Sequence, residues 1–368
     1  MDLGKGKISN LQLMFLIISF ILGSVTFVSF ADTITKHDTW LTILSSYAVG
    51  IPFVLSYVFL AKKFPGKNLI QINDLIYGPY LGKLISLLYI WFILMLLSLN
   101  LVGMADFHVG FVTPETPSLL FLIVCSLVSA YAVRKGIESI TRISSAIFAI
   151  GALFITGSFV MLLGNMDFSN FLPLFQMPLK VYFQGVHIVS AIQFCEIMVF
   201  LMVMPSLNSY KHTGKYTLLG LTIAALLLII TSVQNTAVLG IASPIYFSDT
   251  YQALRMINIG NSLTRMDILF AIGITLLLFV KISVLYYAAV TSTAQIFKMR
   301  SFTTLILPIG SIAICLSMIL FNSVIEHNLH AKDYHPFLVA PFEFILPPLS
   351  LLIAKIRKLP KQKEGKCK

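Results

Sequence analysis

Long apolar stretches are the feature that most constrains how this chain can fold. A helix needs about 20 largely apolar residues to cross a hydrocarbon layer roughly 30 Å thick, and we identify ten such candidates among 368 residues. They cover residues 11–30, 40–60, 84–106, 117–133, 143–164, 185–204, 216–243, 267–290, 302–322 and 337–356. The connections between them are short, and only a basic tail at 357–368 follows. The sequence therefore predicts an all-α polytopic membrane protein with one transmembrane domain.

The lysines and arginines predict how the chain is oriented. If the N-terminus is cytoplasmic, twenty of the 26 basic residues fall on the cytoplasmic side, five fall on the other side, and Lys281 lies within a span. This asymmetry is the positive-inside pattern, and it places both termini in the cytoplasm. The net charge of +11 thus reflects topology, and we expect no nucleic acid partner. The tail is either solvated or in contact with anionic membrane lipid.

Several function classes lack the residues that they need. Of the four cysteines, three fall inside spans, so no disulfide framework is indicated. We find no Cys/His metal spacing, phosphate loop or nucleophile elbow, and we expect no catalytic residues, metal or cofactor. The apolar run that begins the chain is longer than the roughly 7–15 residues of a signal-peptide core, which indicates a retained first helix.

Charged residues inside the predicted spans point to a functional site. A charge near the bilayer centre costs about 2.5–3.5 kcal/mol even on lenient insertion scales, so each one needs a reason. Helix six carries Glu196, with Gln193 one turn earlier on the same face, and helix eight carries Lys281. Helix ten carries Glu343, which we place near the outer surface, within reach of water. Glu196 and Lys281 are the stronger candidates because we place them in the middle third of the bilayer.

The first predicted helix contains the sequence "GSVT" halfway along its length, at residues 23–26. In transporters built from inverted repeats, paired helices are interrupted at the midplane, where the freed backbone groups line a binding cavity. Glycine permits the non-helical dihedrals of such a break, and Ser24 and Thr26 can hydrogen-bond the freed groups. Alternatively, Gly23 and Ser24 only let two helices pack closely. The polar helix six, five spans later, favours a five-plus-five inverted repeat with helices one and six discontinuous.

Two long connections depart from this minimal pattern, at residues 165–184 and 244–266. The second has the apolar spacing of a helix. It is either a lid across the outer mouth or a simple surface helix.

The chain resembles the permease-like membrane (B) subunit of bacterial spore germinant receptors, within the amino acid–polyamine–organocation transporter superfamily. The resemblance rests on stretches that keep their order along the chain: "KISNLQLMFLIISFILGS", "FPGKNLIQINDLIYGPYLGKLISLLYIWF", "VRKGIESITRIS", "NMDFSNFLPLF" and "FCEIMVFLMVMPSL". Family members commonly carry a proline at the outer end of helix one, whereas "TFVSFADT" has none. The missing proline bears on the geometry expected at the outer end of helix one, where the outer gate would lie, and not on the resemblance to the family.

The resemblance implies a five-plus-five repeat, residence in the spore inner membrane, and two partners, a larger membrane subunit and a lipoprotein subunit. The expected function is to sense a small nutrient, usually an amino acid, as the trigger for germination. A proton-coupled amino acid transporter acting alone remains an alternative, since the same fold supports it. The sparse polarity of the spans argues against a channel.

Under this fold, helices one, three, six and eight surround the ligand, which implies a set of candidate binding residues. They are Gly23, Ser24, Val25, Thr26, Leu97, Asn100, Gln193, Cys195, Glu196, Ser283 and Tyr287. The backbone of "GSVT" would offer N–H groups to a ligand carboxylate. For Asn100 and Ser283 the alternative is hydrogen bonding between helices.

Lys281 and Glu196 are the candidates for ion or proton coupling. Sodium-coupled relatives hold a cation between helices one and eight, and the Lys281 ammonium would replace that ion and satisfy the carbonyl end of the broken helix. The alternatives for Lys281 are a permanent ion pair with Glu196 or a snorkelling side chain. Glu196 would bind a ligand amine, or else hold helix six in place through polar contacts.

Overall fold

The structure is a computed structural model that describes residues 6–246, 248–257 and 266–360. Its architecture is helical throughout that part of the chain. The α-helices are α1 (Asn10–Leu22), α2 (Ser29–Thr35), α3 (Thr39–Lys63), α4 (Leu69–Tyr77), α5 (Leu81–Phe107), α6 (Ser118–Lys135), α7 (Ile137–Leu162), α8 (Leu179–Val189), α9 (Thr213–Leu239), α10 (Asp249–Arg255), α11 (Met266–Ile296), α12 (Ile306–Leu320), α13 (Val324–Leu329), α14 (His335–Ala340) and α15 (Leu346–Ile356).

The described residues contain nine helical runs that are long and apolar enough to cross a membrane. Large apolar side chains cover the outside of the bundle, such as Leu153, which is 74% exposed. Such a surface suits lipid and would be unfavourable in water. The predicted class, an all-α polytopic membrane protein, is confirmed. The predicted first helix is divided between Asn10–Leu22, which is too short to count as a span, and the run Val25–Lys63, so the number ten stays a prediction.

Segment one, residues 10–35, is interrupted where the sequence places "GSVT". Helix α1 begins at a capping box between Ser9 and Gln12 and ends at Leu22. A turn at residues 23–24 follows, then a 3-10 helix at Val25–Val28, then α2. The predicted discontinuity of helix one is confirmed.

Segment six, residues 179–206, is interrupted as well. Helix α8 passes into a π-helix at Ser190–Phe194, and this passes into a 3-10 helix at Cys195–Met202. All side chains of the π and 3-10 stretches are buried. Backbone that leaves α-helical geometry at membrane depth is tolerated where protein surrounds it. Segments one and six stand five predicted spans apart, as a five-plus-five repeat requires.

The other helices enclose the two interruptions. Helix α1 packs against α7, α9 and α11, while α3 packs against α8, α9 and the interrupted part of segment six. Helix α5 packs against α11 and α12. Phe20 of α1 meets Phe200 of segment six edge to face, with ring centroids 5.3 Å apart. The interruptions therefore lie in the centre of the bundle, away from lipid.

Two hydrogen bonds join connections that are far apart in the sequence. In the first, the Ile8 N–H donates to the Ser206 carbonyl at 2.9 Å, which joins the start of the chain to the connection after segment six. In the second, the Phe175 N–H donates to Asp38 Oδ2 at 2.9 Å. Each pair joins segments that we predict on the same side of the membrane.

Two connections contain helices of their own. Helix α4 lies between α3 and α5 and begins at a capping box formed by Asn68 and Gln71. Helix α10 lies in the 244–266 connection, and its Thr250 and Leu254 side chains are buried against the bundle. The rest of this connection, residues 258–265, lies outside the described residues, as does most of the basic tail, so the choice between a lid and a surface helix stays open.

The last helical run corrects the expectation for Glu343. Residues 324–356 form one run, in which α13, α14 and α15 are joined by π-helical turns at His330–Tyr334 and Pro341–Ile345. The run begins at Val324, well before the predicted start at residue 337, so Glu343 lies deeper than expected. Its side chain is fully buried, with 0% exposed, and does not reach water.

Candidate functional site

An ion pair joins segment six to α11 at the centre of the bundle. Nζ of Lys281 lies 2.5 Å from Oε2 of Glu196. The Lys281 residue is 0% exposed and Glu196 is 2% exposed. Because a buried charge is costly unless it is paired, each of these side chains makes the other tolerable in the apolar interior. The structure therefore brings together the two residues that we singled out for coupling.

Segment one completes the surroundings of the ammonium. Lys281 Nζ donates a hydrogen bond to the Ser24 hydroxyl, at the interruption. The same nitrogen lies 5.0 Å from the centroid of the Phe20 ring, a cation–π distance. Phe20 is a contact that the sequence analysis missed, since an aromatic residue in an apolar helix carries no distinguishing signal.

Gln193 links the two interruptions directly. Its Nε2 donates to the carbonyl oxygen of Ser24 at 2.7 Å. We expected the Lys281 ammonium to satisfy the carbonyl end of the broken helix. Instead, the Ser24 carbonyl accepts from Gln193 and from the Phe27 N–H at 2.9 Å, while Lys281 contacts the Ser24 side chain. The amide oxygen of Gln193 is buried and has no hydrogen-bond partner in the described structure. It is therefore an available acceptor beside the ion pair.

Gly23 is explained by close packing and not by an unusual backbone. Its φ of −59° and ψ of −18° are ordinary helical values, so the dihedral argument for this glycine is wrong. A Cβ added here would lie 2.9 Å from the Leu277 carbonyl oxygen and 3.1 Å from the Lys281 Cβ. The absence of a side chain lets segment one approach α11 closely enough for Ser24 to reach Lys281.

A small cavity opens on the other side of Glu196. Its volume is about 30 Å³, and Asn100 of α5 and Glu196 both line it. The Asn100 Nδ2 donates to the Leu96 carbonyl of its own helix at 2.8 Å, while its Oδ1 is buried without a partner. A space of this size holds a water molecule or two, and a nutrient would need it to widen.

Three histidines that line the same cavity were missed by the sequence analysis. His327, His330 and His335 line the same cavity as Glu196. Nδ1 of His327 lies 2.8 Å from Asp106 Oδ2, which ties the last helical run to α5. The run "HNLHAKDYH" was the available signal, because histidine recurs three and five residues apart in it next to a predicted span.

The remaining predicted residues are buried, and none of them lines the cavity beside Glu196. Leu97 and Cys195 are almost fully buried and are not among the residues lining the cavity. Ser283 Oγ is buried without a partner in the described structure, and the Tyr287 ring packs edge to face on Phe302 at 6.0 Å. On a helix, positions two and six residues after Lys281 face away from its side chain.

The other two residues of "GSVT" contribute differently. The Thr26 carbonyl accepts a hydrogen bond from Ser29 Oγ at 2.7 Å, so a residue of segment one itself satisfies it. Val25 lines two cavities outside the ion pair, one of which is a large apolar groove of about 430 Å³ between α7 and α11. Exposed apolar residues such as Leu153 and Ile272 border this groove, which suits lipid tails.

The arrangement can exchange partners with a charged ligand. A ligand ammonium can take the place of Lys281 at Glu196, and a ligand carboxylate can take the place of Glu196 at Lys281. Two unpartnered acceptors are nearby, the side-chain oxygens of Asn100 and Gln193, and Nδ1 of both His330 and His335 also lacks a partner in the described structure. Since an unsatisfied buried acceptor costs about 1–3 kcal/mol, a ligand with N–H or O–H donors would relieve that cost.

Comparison with known proteins gives one matching family and several relatives. The family model described as "Spore germination protein" matches residues 7–324. Spore germination protein KB of Bacillus subtilis (strain 168) is 26% identical over 366 residues, covering 98% of this chain and 97% of that protein. Spore germination protein YndE of the same strain is 21% identical and covers 96% and 97%.

Solved transporter structures share the fold. MhsT in complex with L-phenylalanine superposes with a TM-score of 0.70 at 13% identity, covering 94% of this chain and 98% of that one. Mhp1, a nucleobase-cation-symport-1 family transporter in a closed conformation, gives a TM-score of 0.65 at 12% identity, covering 93% and 79%. At such low identity the likeness concerns the fold alone. It agrees with an inverted-repeat architecture whose helices one and six are interrupted.

Proposed function

Because this chain belongs to the spore germination protein family, we propose that it is the ligand-binding, transporter-like subunit of a spore germinant receptor and senses an amino acid. The integral membrane character and the transporter fold supply the framework for this role. The observation that carries the proposal is the buried pair of Lys281 and Glu196 at the meeting of the two interrupted segments. The neighbours Ser24 and Gln193 complete the proposed site.

The chemistry of the pair favours a zwitterion. An α-amino acid presents one ammonium and one carboxylate, the same two charges that Lys281 and Glu196 present to each other. Inserting it between them replaces one buried ion pair with two, so that no charge is left unpaired. Backbone N–H groups of segment one are further donors for the carboxylate. MhsT, which shares the fold, was solved with an amino acid bound.

The place of the subunit in the cell follows from the same proposal. The excess of lysine and arginine on one side supports cytoplasmic termini. The germination relatives support residence in the spore inner membrane, together with a larger membrane subunit and a lipoprotein subunit of one receptor. When a ligand binds, the pairing of Lys281 and Glu196 would change, and the resulting movement of the helices would be passed on to those partner subunits.

A ligand screen on the purified chain tests the proposal. Thermal unfolding in detergent is measured with single amino acids, sugars and nucleosides, and we expect at least one amino acid to raise the midpoint, since a ligand that binds only the folded state stabilises it. Stabilisation by sugars or nucleosides alone would contradict the proposed ligand class. Uptake of a labelled amino acid into vesicles that contain only this chain would instead favour the proton-coupled transporter.

A further inference from the structure

A second polar cavity lies apart from the ion pair, where α10 and α9 meet the interrupted part of segment one. It measures about 10 Å³. Its apolar wall includes Val25 and Val28, and its polar wall consists of Ser232 and Asn235 of α9 with Asp249 and Thr250 of α10. A volume of this order accommodates one water molecule or one bare ion.

Two of the lining side chains have a buried oxygen without a partner in the described structure. They are Ser232 Oγ and Asn235 Oδ1, and the residues are 4% and 3% exposed. The amide nitrogen of Asn235 is already used, because it donates to Thr250 Oγ1 at 2.8 Å. The free functions at this place are therefore oxygen acceptors, and each costs about 1–3 kcal/mol while it stays unsatisfied.

The cavity also carries negative charge. Asp249 is 5% exposed, and its Oδ1 accepts from the Thr250 N–H at 2.8 Å. Ser243 Oγ lies 3.5 Å from Asp249 Oδ2 and 3.4 Å from Asp32 Oδ2, so the two carboxyl groups are neighbours. Neither forms a salt bridge within the described residues. The cavity wall therefore includes a carboxyl group, that of Asp249, with no cationic side chain paired to it in the described structure.

We propose that this cavity binds a monovalent metal cation such as Na⁺ or K⁺. Carboxylate, amide and hydroxyl oxygens are hard ligands that suit alkali and alkaline-earth ions. The cavity is lined by one carboxylate, which balances the charge of a monovalent cation, whereas Ca²⁺ sites generally contain several carboxylates. The cation satisfies Ser232 and Asn235 at the same time as it neutralises Asp249.

The bound cation stabilises the junction between α9, α10 and the 3-10 helix Val25–Val28. Its ligands come from two helices, and the cavity wall includes the residues that immediately follow Ser24. Ser24 in turn contacts Lys281. The cation therefore supports the conformation of segment one beside the proposed ligand site, but it is bound by a separate set of residues.

The test measures binding of Na⁺ and K⁺ to the full chain purified in detergent. Thermal unfolding is followed in NaCl and in KCl against choline chloride of equal ionic strength, and binding is measured directly with radioactive sodium and rubidium. We expect a saturable rise of the midpoint with at least one alkali cation and none with choline. We expect Asn235→Leu and Asp249→Asn each to weaken cation binding at least about tenfold, since each removes a direct ligand oxygen or its charge.

Ser129→Ala is the matched control for Ser232→Ala. Both hydroxyls are buried without a partner in the described structure, but Ser129 lies on α6, away from the cavity. We expect Ser232→Ala to weaken binding and Ser129→Ala to leave it unchanged. The proposal is overturned if choline stabilises as well as Na⁺ and K⁺, if only divalent cations bind, or if alkali-cation binding survives in Asn235→Leu. The comparison of Ser232→Ala with Ser129→Ala tests the proposal even if Asp249→Asn does not fold.

Discussion

Lys281 of α11 and Glu196 of segment six form a salt bridge at 2.5 Å in the interior of the bundle. The ammonium also contacts the hydroxyl of Ser24, so a single side chain joins both interrupted segments to α11. A rearrangement of either interruption must change the surroundings of this ammonium. The pair is therefore suited to convert ligand binding into a movement of the helices.

Replacing Lys281 with methionine tests the pair. Lys281→Met leaves Glu196 buried without its partner, which should cost about 3–5 kcal/mol of folding free energy. We expect the variant to insert and accumulate in the membrane but to lose the germination response to ligand. The measurement is spore germination together with immunodetection of the protein in spore membranes.

The double variant Lys281→Met/Glu196→Met separates structure from function. Replacing both charges with apolar groups should restore much of the stability that Lys281→Met loses. We expect the ligand response to remain absent, because neither charge is left to bind the ligand. A restored response would assign the pair a structural role only.

Glu196→Gln keeps the shape of the side chain and removes its charge. We expect the affinity for an amino acid to fall at least about tenfold, because the ligand ammonium loses a charged partner. Isothermal titration of the purified protein with the ligand found in the screen measures the change. Glu138→Gln is the control, since Glu138 pairs with Arg142 at 2.6 Å on the exposed surface, where such pairs contribute little. Equal affinities of Glu196→Gln and the unmodified chain would exclude direct binding by Glu196.

Gly23→Ala tests the close approach of segment one to α11. The added methyl group would lie 2.9 Å from the Leu277 carbonyl oxygen, so backbone must shift. We expect a loss of about 1–3 kcal/mol in folding free energy, seen as a lower thermal midpoint. Gly157→Ala is the control, because a Cβ on that glycine of α7 meets nothing within 4 Å. Equal midpoints for the two variants would show that the packing at Gly23 is loose.

Gln193→Leu tests the hydrogen bond that links the two interruptions. Removing the amide deprives the Ser24 carbonyl of its 2.7 Å donor, while the Phe27 N–H at 2.9 Å remains. We therefore expect the loss of one net hydrogen bond, about 0.5–1.5 kcal/mol. Thermal unfolding in detergent measures it. Gln295→Leu on α11 is the control. Both glutamines have an amide oxygen without a partner in the described structure, but only Gln193 donates a hydrogen bond through its amide nitrogen, so Gln295→Leu should have a smaller effect. A midpoint unchanged by Gln193→Leu would contradict the linking role.

The apolar spans and the positions of Glu196 and Lys281 could be read from the chain because the bilayer imposes simple rules. Hydropathy and length suffice to predict an all-helical membrane protein. A charge in a span must have a partner, and an ion pair with Glu196 was one of three interpretations of Lys281. The interruption at "GSVT" was also predictable, since small polar residues in mid-span are unusual without a cavity or a tight helix contact.

The tertiary structure alone decided which atoms meet. For Gly23 the sequence left two explanations open, a non-helical backbone and close packing of two helices. Its dihedrals are helical, and its close neighbours on α11 favour the packing explanation. The three cavity histidines stand out as a cluster in "HNLHAKDYH", but that pattern does not show that they face Glu196. The oxygens of Ser232 and Asn235 gave no usable signal, because their surroundings come from helices far apart in sequence. The sequence by itself determined which segments are apolar enough to lie in lipid, because the free energy of transferring a side chain into lipid depends mainly on that side chain. The partners of a buried polar group depend on how distant helices pack, which no local pattern encodes.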